Sequence, residues 1–148
     1  MKLVIVSGLS GSGKTVALHT LEDSGFYCID NLPLGMLPEL VDNMLNTRPQ
    51  LYDLVAVAID ARSGVDNSDR FDEIMSQINK HELSVKVLFL TCDTSRLLKR
   101  FSETRRKHPL SRQGLPLADA IQQEKKLLED IHANADLSID SSSLNVHE

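Results

Sequence analysis

A glycine-rich turn near the N-terminus has the residue types and the spacing of a phosphate-binding loop. Gly8 is followed, after four residues, by Gly13, Lys14 and Thr15, which is the P-loop pattern. Such a loop points backbone N–H groups at phosphate oxygens, and Gly11 supplies a further position without a Cβ. We expect Lys14 to reach the β- and γ-phosphates of ATP or GTP and the Thr15 hydroxyl to ligate Mg²⁺. The predicted nucleotide-binding residues are Gly8, Leu9, Ser10, Gly11, Ser12, Gly13, Lys14 and Thr15.

A carboxylate directly follows the apolar run Leu54–Ile59, and it is the second candidate ligand for a metal. In an open parallel sheet, ligands bind beyond the carboxyl ends of the strands. An apolar strand followed by Asp is the Walker B arrangement, so we expect Asp60 to hold Mg²⁺ directly or through water. The alternative is that Asp60 caps a turn or helix. Arg62 and Ser63 come next and are candidates for contact with a phosphate or a base.

Asp30 follows another short apolar run, Phe26–Ile29. At the end of a strand, its carboxylate would act as a general base toward a substrate hydroxyl or as an outer-sphere partner of Mg²⁺. The alternative is that Asp30 and Asn31 cap a helix that begins at Pro33, because proline is favoured in the first turn of a helix. The sequence does not separate these two roles.

Positive charge is concentrated in residues 96–108 of a chain whose formal net charge is −5. Arg100 lies four residues after Arg96, so the two share one helix face. The polar stretch that begins at Arg105 and Arg106 has the length and position of a lid that closes over a nucleotide and offsets transition-state charge. The alternatives are a solvated helix face with a surface loop, and an RNA-contact patch. The patch is the weaker alternative because no aromatic residues are interleaved for base stacking.

Apolar runs alternate with amphipathic segments along the whole chain. The predicted strands are Leu3–Ser7, Phe26–Ile29, Leu54–Ile59, Val85–Leu90 and Ala135–Ile139. The predicted helices are Val16–Asp23, Pro33–Asn46, Asn67–Lys80, Thr94–Thr104 and Leu117–Ile131. Strands that are apolar on both faces and alternate with helices indicate an α/β fold, a three-layer P-loop NTPase with a five-stranded parallel sheet and helices on both faces.

Composition places further limits on the protein. A length of 148 residues fits one domain, 1–148, and no apolar run approaches the ~20 residues of a membrane span. The net charge of −5 disfavours a general nucleic-acid-binding surface. Cys28 and Cys92 form no metal-binding motif and are expected to be small buried side chains, and the five histidines lack metal-ligand spacing. We therefore expect a cytoplasmic protein without a structural metal.

Three segments together carry a resemblance to a known family. They are Gly8–Thr15, Gly25–Pro33 with the sequence GFYCIDNLP, and Thr104–Leu110 with the sequence TRRKHPL. The chain resembles the RNase adapter protein RapZ family over essentially its whole length, and the last two segments are more specific than the phosphate loop. The resemblance extends to residues 145–148, which are typical of the start of a helix, so we expect the N-terminal part of a longer protein.

The resemblance implies an N-terminal kinase-like P-loop domain that binds ATP and GTP. It implies that Gly8–Thr15 is the ATP site and that Asp60, Ala61, Arg62 and Ser63 contact GTP. Since Asp60–Ser63 should lie beside the phosphate loop, we expect the two nucleotides to compete. Through a further C-terminal domain, family members act on a small regulatory RNA that controls amino-sugar synthesis, and deliver it to an endoribonuclease. That domain senses an amino-sugar phosphate, and the full-length protein is expected to be a homo-oligomer.

Two functional hypotheses follow, and a third is a vestigial site in an interaction domain. The first is a regulatory nucleotide-binding module with slow or absent NTP hydrolysis. The second is a small-molecule kinase that uses Asp30 as base and Arg100, Arg105 or Arg106 in a lid. Against the kinase, residues 31–52 contain one basic residue, Arg48, although a pocket for a phosphorylated substrate usually needs more positive charge.

Overall fold

The computed structural model describes residues 2–9, 12–47, 53–59, 70–78, 83–104 and 116–140. The strands are β1 (Lys2–Gly8), β2 (Tyr27–Leu32), β3 (Leu54–Ile59), β4 (Ser84–Thr91) and β5 (Leu137–Asp140). The helices are α1 (Lys14–Asp23), α2 (Leu37–Thr47), α3 (Arg70–Ile78), α4 (Thr94–Thr104), α5 (Leu117–Leu127) and α6 (Glu129–Ala133), with a 3₁₀ helix at Leu34–Met36.

The five strands form one parallel sheet in the order β2-β3-β1-β4-β5. Val6 of β1 is in register with Ala58 of β3 and with Leu88 of β4. The predicted five-stranded parallel sheet is therefore confirmed, with β1 in its centre. The carboxyl ends of all five strands meet at one edge of the sheet, where the segment after β1 carries the P-loop residues.

Side chains alternate between two faces of the sheet, and each face has its own apolar cluster. The first face carries the larger cluster, to which α2, α3, α4, α5 and α6 contribute buried side chains. Leu97 of α4 and Ile121 of α5 are fully buried there, and each burial stabilises the fold by about 1.5–3 kcal/mol. The second face carries a smaller cluster built on Val6, Ala56 and Leu90, to which α1 contributes. Helices thus lie on both faces, as predicted.

The predicted helix over residues 33–46 is divided in the structure. A 3₁₀ turn, closed by the Leu37 N–H donating to the carbonyl of Leu34, precedes α2. A continuous α-helix would need a hydrogen bond from the backbone nitrogen of Pro38 to Leu34, and proline has no N–H to donate. The helix predicted over 117–131 is likewise divided, because Leu128 (φ −99°, ψ 6°) ends α5 before α6 begins.

The two cysteines differ in their surroundings. Cys92 is buried, as expected, whereas Cys28 is half-buried and donates its S–H to the carbonyl oxygen of Leu18 at 3.3 Å. Burial, with a smaller contribution from the charge of Glu22, raises the pKa of the Cys28 thiol. Within the residues that the structure describes, no three His, Cys, Asp or Glu side chains cluster as metal ligands. None of the helices in that part of the chain is long and apolar enough to cross a membrane.

Candidate nucleotide-binding site

The first glycine of the loop is required by close packing between two strands. Gly8 ends β1 and is in register with Leu90 of β4. Its φ of +151° lies in a region that favours glycine, and a Cβ built on it would stand 2.5 Å from the carbonyl oxygen of Leu90. The sequence motif therefore has a structural cause at this position: any side chain at Gly8 would push the start of the loop away from β4.

The described part of the loop is fixed by hydrogen bonds to its own backbone and to β4. The Leu9 N–H donates to the carbonyl of Leu90 at 3.2 Å, and the Ser12 N–H donates to the carbonyl of Leu9 at 3.0 Å. The Ser12 hydroxyl donates to the same Leu9 carbonyl. Leu9 and Ser12 are both buried. Ser10 and Gly11, between them, lie outside the described residues.

The loop leads directly into the N-terminus of α1. Gly13 is the N-cap with φ 105° in the left-handed region, and its carbonyl accepts the N–H of Ala17 at 3.0 Å. Lys14 and Thr15 are the first two residues of the helix, with Lys14 half-buried and Thr15 exposed. The N-terminus of a helix concentrates backbone N–H groups and positive potential, which favours bound phosphate. Loop and helix end are therefore arranged as a cradle for an anion.

A magnesium ion would fit the donor types at this position. Mg²⁺ prefers hard oxygen ligands, and the exposed hydroxyl of Thr15 is one of these. Asp60, Ala61, Arg62 and Ser63 lie outside the described residues, so their predicted roles remain predictions. β3 ends at Ile59 and pairs with β1, so the chain enters this segment at the strand next to the loop.

A cavity of about 530 Å³ opens at the carboxyl ends of β4 and β5, next to the phosphate loop. Leu9 of the loop forms part of its wall. Acidic, basic and hydroxyl side chains share this wall with an aromatic ring, so the cavity offers both hydrogen bonds and an apolar surface. It is lined by Leu9, Phe89, Thr91, Cys92, Asp93, Thr94, Lys125, His132 and Asp140.

Two side chains from the α5–α6 region close the far side of this cavity. The Lys125 ammonium donates to the Thr94 hydroxyl at 2.9 Å, which ties α5 to the first residue of α4. The His132 ring stacks on Phe89 with a centroid distance of 4.2 Å and an interplanar angle of 7°. His132 Nε2 is also within 3.2 Å of the Ser138 hydroxyl on β5. These contacts fix the side chains of Lys125 and His132 in the wall of the cavity.

Asp30 lies at the opposite edge of the sheet from this cavity. It belongs to β2, which continues to Leu32, although the sequence predicts the strand to end at Ile29. Asp30 and Asn31 together oppose a single β3 residue, which forms a bulge, and Asn31 has φ 55°. The Asp30 carboxylate accepts the Asn31 N–H at 2.8 Å and remains exposed. The helix-cap alternative is wrong, since Pro33 precedes the 3₁₀ helix and no side chain caps it.

Of the predicted lid residues, only Arg100 lies in the described part of the chain. It is half-buried on α4, on the same side as the half-buried Arg96, while Lys99 between them is exposed. Arg105 and Arg106 lie outside the described residues, and the role of a lid stays a prediction. Arg100 does not line the cavity.

Sequence reasoning did not single out Lys125, His132 and Thr94, which line the cavity beside the phosphate loop. Tertiary packing brings all three residues to the cavity. Lys125 contacts Thr94, 31 positions away in the chain, and His132 stacks on Phe89 of another element. No short motif marks them. The helical spacing of Gln122 and Lys125, which both donate to the Thr94 hydroxyl, is a local signal, but it indicates only a shared helix face.

Comparison with solved structures defines the class of the fold. Shikimate kinase from Bacteroides thetaiotaomicron matches with a TM-score of 0.58 and 17% identity, covering 93% of this chain and 85% of that one. A gluconokinase from Sinorhizobium meliloti 1021 matches with a TM-score of 0.56 and 18% identity, covering 94% of this chain and 82% of that one. At such identities the likeness concerns the fold alone. The sheet order, the loop and these neighbours define a P-loop α/β fold of the kinase type.

The chain belongs to the RapZ-like N-terminal domain family, whose model matches residues 1–148. This confirms the resemblance inferred from its motifs. A nucleotide-binding protein of Thioalkalivibrio sulfidiphilus (strain HL-EbGR7) is 53% identical over 148 residues, which is 100% of this chain and 52% of that protein. The chain thus spans about half the length of the relatives it matches.

Proposed function

We propose that this domain binds a magnesium nucleotide, ATP or GTP, at the loop Gly8–Thr15. The observation that carries the proposal is the cradle itself, in which Gly8 packs on β4 and Gly13 opens α1 in a left-handed conformation. Lys14 and Thr15 at the first two helical positions then serve the β- and γ-phosphates and Mg²⁺. The relatives' name, nucleotide-binding protein, supports the same ligand class.

ATP and GTP share one site in this proposal. We expect the segment Asp60–Ser63 beside the phosphate loop, because it follows β3 in the sequence and β3 pairs directly with β1. Asp60 would complete the Mg²⁺ site, and Arg62 and Ser63 would contact phosphate or base. The test is displacement of a fluorescent ATP analogue by GTP. Full displacement along a one-site curve is expected, and a ternary complex of protein with both nucleotides would contradict it.

The biological role that we propose is regulatory. Membership of the family supports a nucleotide-binding module of an RNase adapter, which adjusts the processing of a small regulatory RNA that controls amino-sugar synthesis. The RNA, the endoribonuclease, the amino-sugar phosphate and the homo-oligomeric contacts would belong to the full-length protein in the cytoplasm. The net charge of −5 agrees with RNA contacts lying outside this domain.

A second candidate function is that of a small-molecule kinase. The kinase-type fold favours it, as does the exposed carboxylate of Asp30 at the carboxyl end of β2. In that case Asp30 takes the proton of an acceptor hydroxyl and Arg100, Arg105 or Arg106 stabilise the transferred phosphoryl group.

Phosphotransfer from ATP to a panel of metabolite hydroxyls separates the two functions. A kinase should transfer phosphate at ~1–100 per second, whereas a regulatory module should show slow hydrolysis or none. If transfer occurs, Asp30→Asn should abolish it and leave nucleotide affinity unchanged. Rapid transfer to any acceptor would overturn the regulatory proposal without affecting the proposal that the loop binds nucleotide.

A further inference from the structure

A crevice lies between the carboxyl ends of β1 and β4, because the chain leaves these paired strands toward opposite faces of the sheet. The connection after β1 leads to α1 in the second-face cluster, and the connection after β4 leads to α4 in the first-face cluster. Ligands of open α/β sheets bind in such crevices. The cavity of about 530 Å³ lies there, since its wall includes Leu9 after β1 and Thr91–Thr94 at the end of β4.

The size and position of this cavity suit the base of a nucleotide. Small-molecule sites commonly enclose about 300–1,000 Å³ and combine apolar walls with a few polar groups. Leu9 and Phe89, which both belong to the first-face cluster, supply apolar surface here. Leu9 is also part of the phosphate loop, so a nucleotide whose phosphates occupy the loop has space beside them for its base.

The polar groups of the wall carry both signs of charge. On the sheet, Asp140 of β5 is in register with Thr91 of β4, so the two side chains stand next to each other on the same face. From α5, the Lys125 ammonium donates to the Thr94 hydroxyl at 2.9 Å. The cavity therefore presents a carboxylate from the sheet and an ammonium from a helix.

We propose that the cavity binds the nucleobase and selects guanine over adenine through Asp140. Guanine presents N1–H and the 2-amino group side by side, and one carboxylate accepts hydrogen bonds from both. Its O6 is an acceptor that suits the Lys125 ammonium. Adenine offers a carboxylate its 6-amino group alone, and its N1 is an acceptor that a carboxylate repels. The proposal rests on the proposed function, in which the loop binds the phosphates.

Two carboxylates line the cavity, and their places in the fold differ. Asp93 directly precedes α4, and its backbone carbonyl accepts the Leu97 N–H at 3.0 Å, so it is the N-cap residue of that helix. A carboxylate at an N-cap is suited to accept N–H groups of its own helix. Asp140 instead ends a strand, where side chains stand roughly perpendicular to the sheet. Asp140 is therefore the better acceptor for a base.

Calorimetric titration of the 148-residue chain with Mg²⁺–GTP, Mg²⁺–ITP and Mg²⁺–ATP tests the selection of the base. Inosine lacks the 2-amino group of guanosine and keeps N1–H and O6. GTP should bind about 10- to 100-fold more tightly than ATP, with ITP between them. Equal Kd values for GTP and ATP, both raised by Lys14→Ala, would overturn the selection of guanine and leave the phosphate-loop proposal intact. Absence of binding by all three nucleotides would overturn both proposals.

Asp140→Asn tests the contact with the base itself. The asparagine amide accepts from N1–H through its oxygen and donates through its nitrogen, so it pairs with the 2-oxo group of xanthine instead of the 2-amino group of guanine. The variant should raise the Kd for GTP about tenfold and lower the Kd for XTP. A merely structural role of Asp140 would weaken both nucleotides alike, and that result would overturn the proposal.

Asp119→Asn is the matched control, because it makes the same chemical change at an exposed position of α5 outside the cavity wall. The ratio of the Kd for XTP to the Kd for GTP should stay within about twofold of the parent value. A switch toward XTP in Asp93→Asn, and not in Asp140→Asn, would overturn the assignment of Asp140 to the base.

Discussion

The phosphate loop has two flanks that differ in construction. On the β4–β5 flank, Gly8 packs against Leu90, and Lys125 and His132 close a cavity of about 530 Å³. On the other flank, beyond β3, Asp30 lies exposed on a bulged edge strand. The packed flank contains a cavity lined by charged and hydroxyl side chains, whereas the Asp30 carboxylate of the edge flank is exposed. This difference favours nucleotide binding over acceptor chemistry.

The largest expected effect concerns the packing of the loop on β4. Gly8→Ala places a Cβ 2.5 Å from the Leu90 carbonyl oxygen. We expect a loss of about 2–4 kcal/mol in the free energy of unfolding, or roughly 10 °C in Tm, together with loss of nucleotide binding. Thermal unfolding measures the loss of stability.

Gly35→Ala is the matched control, because a Cβ at Gly35 meets nothing within 4 Å. It should change the free energy of unfolding by less than about 1 kcal/mol. Similar losses for both substitutions would show that the close approach of Gly8 to β4 does not determine stability.

A smaller effect is expected at the wall of the cavity. Lys125→Ala removes the hydrogen bond to Thr94 and a positive charge that faces the cavity. If the nucleotide extends into this cavity, Kd should rise about tenfold, the value of one charged hydrogen bond. The neighbouring Lys126→Ala removes an exposed charge from the same helix and should leave Kd within about twofold. Equal effects of the two substitutions would place the nucleotide outside the cavity.

The smallest effect is expected on the edge flank. Two strand spacings, ~10 Å, separate β2 from β1, so Asp30 lies away from the phosphates. Asp30→Asn should therefore leave the Kd for Mg²⁺–ATP within about twofold in a fluorescence titration. A tenfold or larger change would indicate that Asp30 reaches the nucleotide or its metal, and the contrast between the flanks would disappear.

Much of the fold and the centre of the site could be predicted from the sequence, because local patterns encode them. Apolar runs predict buried parallel strands. The phosphate loop between a strand and a helix is predicted by the spacing of Gly8, Gly13 and Lys14. The bulge at Asp30 could not be predicted, since β2 is an edge strand whose extra residue has no pattern of its own. The positions of Lys125 and His132 in the cavity wall could not be predicted either, because they depend on contacts between elements that are distant in sequence.

The central claim is that the loop binds nucleotide through Lys14, and calorimetric titration with Mg²⁺–ATP and Mg²⁺–GTP tests it most directly. His19→Ala, an exposed position on the same helix, serves as the control for Lys14→Ala. We predict saturable binding by the parent chain and the His19 variant, weakened about 10- to 100-fold in Lys14→Ala. Binding that is equally strong in Lys14→Ala, or absent from the parent chain, would contradict the account.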